Sequence, residues 1–191
     1  MKLKQHSKIL VLTVIVLSSG CVSVWNGKEC RPDPDAVYIR LDDLSKYNRN
    51  KNCGELAVNQ IISYFKSSKK IDKTGLNFAS FNDTVSLVRY ARNNGLKCRM
   101  AKPELVQIIN EVKNDRPVIV FVPVDSSRTG QYISENYATH SIVICGYQKN
   151  KKELLFYSNG AGPFKISSEK FVQEWNKTGK IAIMFGKINV R

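Results

Sequence analysis

The chain has 191 residues, 42% of them hydrophobic and 24% charged, one domain's length with the mix of an ordinary globular protein. This excludes collagen-like, low-complexity and wholly disordered chains and leaves enough sequence for a core that needs no staples. Thirty Lys and Arg against 16 Asp and Glu give a formal net charge of +14, which favours acidic partners such as phospholipid head groups, nucleic acid or anionic cell-wall polymer. The surplus lies in short groups such as Lys66, Lys69, Lys70 and Lys73. No arginine-rich helix or aromatic-interleaved basic sheet accompanies it, so no nucleic-acid partner is expected.

Residues 1–20 have the three-part layout of an export signal. Lys2, Lys4 and Lys8 are positive, residues 9–17 are apolar apart from Thr13, and Ser18, Ser19 and Gly20 lead to Cys21. The apolar run is far short of the roughly 20 residues that span a bilayer. A cysteine after small residues resembles the lipobox of bacterial lipoproteins, although Ser18 stands where leucine is usual and Leu17 lies one place earlier. The resemblance implies lipidation of Cys21, which would hold the protein on a membrane at about 0.8 kcal/mol per buried methylene. The expected location is the bacterial cell envelope, on the periplasmic or outer side. The alternative is an ordinary cleaved signal with an incidental cysteine. Removing the signal takes away three lysines, from +14 to +11.

Residues 21–36, with Pro32 and Pro34, read as a tether, and residues 37–191 as a single α+β domain. Alternation of Val37, Ile39 and Leu41 predicts a short strand. A helix is predicted from Cys53, with Asn52 as N-cap and Glu55 three residues on, and with Ala57, Ile61, Ile62 and Phe65 as its apolar stripe. A second helix is predicted over 83–93, with Gly95 just past its end, and a third from Pro103, a preferred first-turn residue. Residues 118–124 form an apolar run that predicts a buried strand, followed by a polar loop over 125–139. Two more strands are predicted over 140–147 and 154–157, a helix over 168–175 and a last strand over 181–190. Helices first and strands later argue for helices packed on an antiparallel sheet. Cys145 reads as a buried core thiol, and Cys30 and Cys98 as thiols able to pair in an oxidising compartment.

Cys53 is different. A helix N-terminus and a nearby imidazole both promote ionisation of a thiol, and Gly54 leaves the backbone open to close approach by a substrate. The chain has two histidines; His6 belongs to the signal, which leaves His140 as the base. A third group should orient the imidazole, and Asn159, at the turn ending the next strand, would return beside His140 across an antiparallel pair. The order Cys, His, Asn is that of papain-like proteases. Each residue also has an ordinary explanation: a structural thiol, a surface histidine, an asparagine that forms a turn before glycine.

The segments Cys53-Gly54-Glu55-Leu56-Ala57-Val58 and His140-Ser141-Ile142-Val143-Ile144-Cys145-Gly146, followed by Asn159-Gly160 and by Phe171 and Trp175, resemble the papain-like peptidases that process bacteriocin leaders after a double glycine. The resemblance spans about residues 44–188. It implies a papain-like fold, a peptide or protein substrate, and catalysis by Cys53, His140 and Asn159. The family's aspartate is replaced by Asn159, with Ser158 as the neighbouring alternative. Its oxyanion glutamine is replaced by Tyr47, near which Asn48 and Asn50 are amides that could donate instead, alongside the Cys53 backbone N–H.

The expected function is therefore a lipid-anchored cysteine peptidase. One alternative is a catalytically degraded accessory lipoprotein that binds a peptide or protein in the same cleft. Another is a cell-wall amide hydrolase or acyl transferase. No cofactor is expected, and no metal, since a lone mature histidine and dispersed cysteines fit no zinc spacing.

Overall fold

The computed structural model describes residues 30–46, 52–65, 84–123 and 139–186. Its backbone is organised by one long strand. The run from His140 to Gly146 has no charged side chain, and as β4 (Thr139–Gln148) it is buried along nearly its whole length. It pairs antiparallel with β3 (Val118–Pro123) on one side and β5 (Glu153–Ser158) on the other. Strands buried on both faces read as continuous apolar runs, and β3 is buried at all its positions.

The short strand β1 (Val37–Tyr38) pairs with the far end of β4, beyond the reach of β3. With β2 (Cys98–Ala101), β6 (Ala161–Ser167) and β7 (Ala182–Phe185) the sheet has seven strands in the order β2-β7-β3-β4-β5-β6, with β1 off this path. Every recorded pairing is antiparallel. Among the described residues four helices pack on the sheet: α1 (Cys53–Phe65) and α3 (Leu105–Lys113) against β4, α2 (Thr84–Asn93) against α1 and β2, and α4 (Ser168–Lys177) against β3. The α+β class expected from the sequence is the observed one. None of the helices among the described residues is long and apolar enough to cross a membrane.

The helix starts show how local chemistry sets the elements. In α1 the Asn52 side chain accepts the Glu55 N–H at 2.8 Å, satisfying one of the first-turn N–H groups that lack a helical partner. The helix expected from Pro103 begins two residues later, because Glu104 and Gln107 form a reciprocal capping box at its start. Phe171 and Trp175, one turn apart in α4, are fully buried with ring centroids 5.2 Å apart. The Trp175 indole N–H donates to the Ile181 carbonyl at 3.0 Å, which fixes the approach to β7.

Two strands escaped the sequence patterns. β2 has four residues, of which Arg99 and Met100 are exposed, too few to show alternation. β6 contains Gly162 and Pro163, residues that discourage a strand assignment but are tolerated at a sheet edge, where β6 lies. The polar loop expected over 125–139 and the last residues of the final strand fall almost wholly outside the described residues.

Candidate active site

Cys53 opens α1 and is buried. The helix seats its positive end at the start of β4, where the Ser141 backbone N–H donates to Cys53 Sγ at 3.5 Å. The thiol thus lies against the peptide that joins His140 to Ser141. Two residues that are 88 apart in sequence meet because α1 packs on β4.

His140 is fully buried, and strand register determines what its ring can reach. Ser158 in β5 stands opposite Ile142 of β4. Side chains alternate faces along a strand, so His140, Ile142 and Ser158 share one face, with Ser158 diagonal to His140. A long side chain spans that diagonal, and His140 Nε2 lies 2.9 Å from Ser158 Oγ. The other ring nitrogen, Nδ1, is buried with no hydrogen-bond partner among the described residues. Burial disfavours the charged ring and lowers its pKa from 6.5 to about 4.

Asn159, expected to orient the ring, lies one residue past the observed partner. Ser158 pairs with Ala161, leaving Asn159 and Gly160 as a two-residue hairpin loop. Both have positive φ, +51° and +80°, as a type I′ turn demands, and Asn-Gly is the preferred pair for it. The turn sets the Asn159 backbone, and Ser158 Oγ is the atom within hydrogen-bond distance of the ring nitrogen Nε2. Gly54 also differs from expectation: a Cβ there would come within 2.7 Å of Leu87 in α2, so the glycine serves the contact between α1 and α2. Tyr47, Asn48, Asn50 and Cys21 lie outside the described residues.

Gln60 has a role that the sequence did not reveal. From the buried side of α1 its side-chain amide donates to the carbonyls of Asp42, at 3.0 Å, and Gly160, at 3.1 Å. Gly160 O also accepts the Leu44 N–H at 2.8 Å. One amide thereby ties the hairpin beside Ser158 to the segment that leads toward Asn48 and Asn50. A glutamine in line with an apolar stripe was its only signal.

The remaining described cysteines are thiols outside any disulfide. Cys30 donates its backbone N–H to Pro163 in β6, while Cys98 lies in β2 at the opposite edge. That is about five strand spacings, on the order of 20 Å, against roughly 7 Å at most between the Cα atoms of a disulfide. Burial raises the pKa of Cys30, Cys98 and Cys145, which makes them poor nucleophiles. A cavity of about 510 Å³ lined by Lys97, Arg99, Glu111 and Arg116 lies elsewhere, between β2, β7 and α3. Its carboxylate is engaged by Arg116, and no histidine lines it. Among the described residues no group of three potential metal-ligating side chains converges.

Helices on an antiparallel sheet, with a helix-start thiol against the strand bearing a buried histidine, define a papain-like α+β domain. A model of the Peptidase_C39 like family matches residues 79–183, and the chain belongs to that family. The match includes His140 and Ser158; Cys53 precedes it. Among solved structures, a putative C39-like peptidase from Bacillus anthracis is 16% identical with a TM-score of 0.53, over 78% of this chain and 98% of that one. The peptidase domain of Streptococcus ComA, a bi-functional ABC transporter involved in quorum sensing, is 20% identical with a TM-score of 0.48, over 71% and 90%. A double glycine motif protease from an AMS/PCAT transporter, in complex with its leader peptide, is 18% identical with a TM-score of 0.49, over 70% and 83%. No curated protein matches the chain.

Proposed function

We propose that the chain is a cysteine peptidase acting on a peptide or protein, with Cys53 as nucleophile and His140 as base. The observation that carries this reading is the seating of the Cys53 thiol, at a helix start, against the peptide of His140. Sγ attacks the substrate carbonyl carbon, its proton passes to His140 Nδ1, and the carbonyl electrons move onto oxygen. The Cys53 backbone N–H and the amide of Asn48 or Asn50 hold that oxyanion; loss of one such donor typically costs about 2.7–4 kcal/mol. Collapse expels the amine, which takes the proton from Nδ1. Water then gives a proton to Nδ1 and attacks the thioester carbon, releasing the acid as the proton returns to sulfur. That Nδ1 lacks a hydrogen bond to sulfur before substrate arrives is compatible with this role, because catalytic hydrogen bonds tighten in the substrate complex.

Cys21 carries the lipid in this proposal, residues 1–20 are its signal and residues 21–36 its tether, which docks on the domain from Cys30 onward, and the domain works at the bacterial envelope. The test is incubation with a peptide library and mass-spectrometric reading of the cuts. Wild type is expected to cleave, and Cys53→Ala to cleave nothing while its stability stays within about 1 kcal/mol. Cleavage that survives Cys53→Ala overturns the reading. The full burial of His140 favours one second reading, a peptide-binding module. In that case wild type and Cys53→Ala both retain library peptides and cut none.

A further inference from the structure

The group within hydrogen-bond distance of the His140 ring is a hydroxyl, and that has chemical consequences. An ionised carboxylate only accepts hydrogen bonds; beside a histidine it fixes one tautomer and stabilises the imidazolium. A serine hydroxyl donates or accepts equally well and carries no charge. We propose that Ser158 is the positioning residue of His140, and that its hydroxyl holds the ring in place without committing it to one tautomer or to a positive charge.

The inference rests on the peptidase reading and adds to it how the base is set. Three observations support it. Ser158 is buried and its oxygen lies 2.9 Å from Nε2. The register that puts it there is fixed by paired strands and a two-residue turn, so the contact is built into the sheet. Among the described residues no carboxylate is hydrogen-bonded to the ring. Among the elements packed on β4, α1 carries Glu55, β5 carries Glu153 at its far end, and α3 carries Glu111 and Lys113. None of these contributes to the ring's lowered pKa, whose cause is burial. When Nε2–H donates to Ser158 Oγ, the lone pair is on Nδ1 and the ring is ready to take the Cys53 proton. When Ser158 donates to Nε2, the proton sits on Nδ1 and the ring is idle. Before the Cys53 proton is transferred the ring is neutral, and the helix N-terminus and the Ser141 N–H are what favour negative charge on sulfur.

The test reads tautomer and titration directly, by nitrogen-15 NMR of histidine-labelled full-length protein carrying His6→Gln, so that His140 alone reports. The His140 signals are expected to average between the two neutral tautomers. Ser158→Thr should keep that pattern and Ser158→Ala should change it. Ser158→Asp should give one Nε2–H tautomer that titrates at least one pH unit higher, a tenfold change in the protonation constant. In parallel, alkylation of Cys53 by iodoacetamide at pH 7, followed by peptide mapping, should slow about tenfold in Ser158→Ala and recover in Ser158→Thr. A single wild-type tautomer unmoved by Ser158→Ala, with unchanged alkylation, overturns the role of Ser158 and leaves the peptidase reading standing. If His140→Ala itself leaves Cys53 alkylation unchanged, the peptidase reading is what fails.

Discussion

At the scale of single residues, the burial of His140 couples the site to stability. Its pKa falls from 6.5 to about 4 on folding, so the unfolded chain binds the extra proton between those values. Stability from this residue is therefore complete above about pH 6.5 and is lost as pH falls toward 4, by about 3 kcal/mol in all. Urea unfolding at pH 7 and pH 4.5 should show that loss, and His140→Gln should remove this residue's share of it. The closeness of Cys53 to the start of β4 was partly legible, because a capped helix start and a histidine heading an apolar run are sequence facts. In the sequence Ser158 stands only as the neighbour of an Asn-Gly turn pair, and which of two adjacent residues faces the ring is decided by pleat and register. Gln60 was hidden because its partners are backbone carbonyls from distant segments.

At the scale of elements, the β5–β6 hairpin is the most exacting part of the site. Gly160 has φ +80°, and a Cβ there would lie 2.7 Å from the Leu44 backbone, which has little room to yield. Gly160→Ala is expected to destabilise by about 2–4 kcal/mol, combining left-handed strain with overpacking, and to lower any peptidase activity by displacing Ser158. Gly54→Ala meets only the tip of the Leu87 side chain, so thermal unfolding should show a smaller loss, about 1–2 kcal/mol. A Gly54 variant as unstable as the Gly160 one would show that the contact between α1 and α2 is more rigid than a leucine tip implies. The long apolar runs of β3 and β4 and the stripes of α1, α2 and α4 could be read in advance because burial dictates them. The edge strands β2 and β6 could not, because pairing with β7 and β5 makes them strands rather than any pattern of their own.

At the scale of the whole molecule, charge and the proposed lipid can be separated by salt. Lipid on Cys21 would hold the protein to membranes by apolar burial, which salt does not screen, whereas attraction to anionic head groups falls off within about 10 Å at 0.1 M salt and about 3 Å at 1 M. Wild type should stay in the membrane fraction through a 1 M salt wash, and Cys21→Ser should be released. Retention of Cys21→Ser after that wash would remove lipidation from the account. The distance along the chain between thiol and ring also sets a clock. During synthesis Cys53 emerges about 105 residues before Ser158, an interval of roughly 5–20 s at ordinary rates of translation. In the proposed peptidase there is no base for the sulfur until β4 and β5 exist, so the growing chain passes its own ribosome and its first neighbours unarmed. The late arrival of His140 and Ser158 keeps the nucleophile of the proposed peptidase idle while the chain is being made.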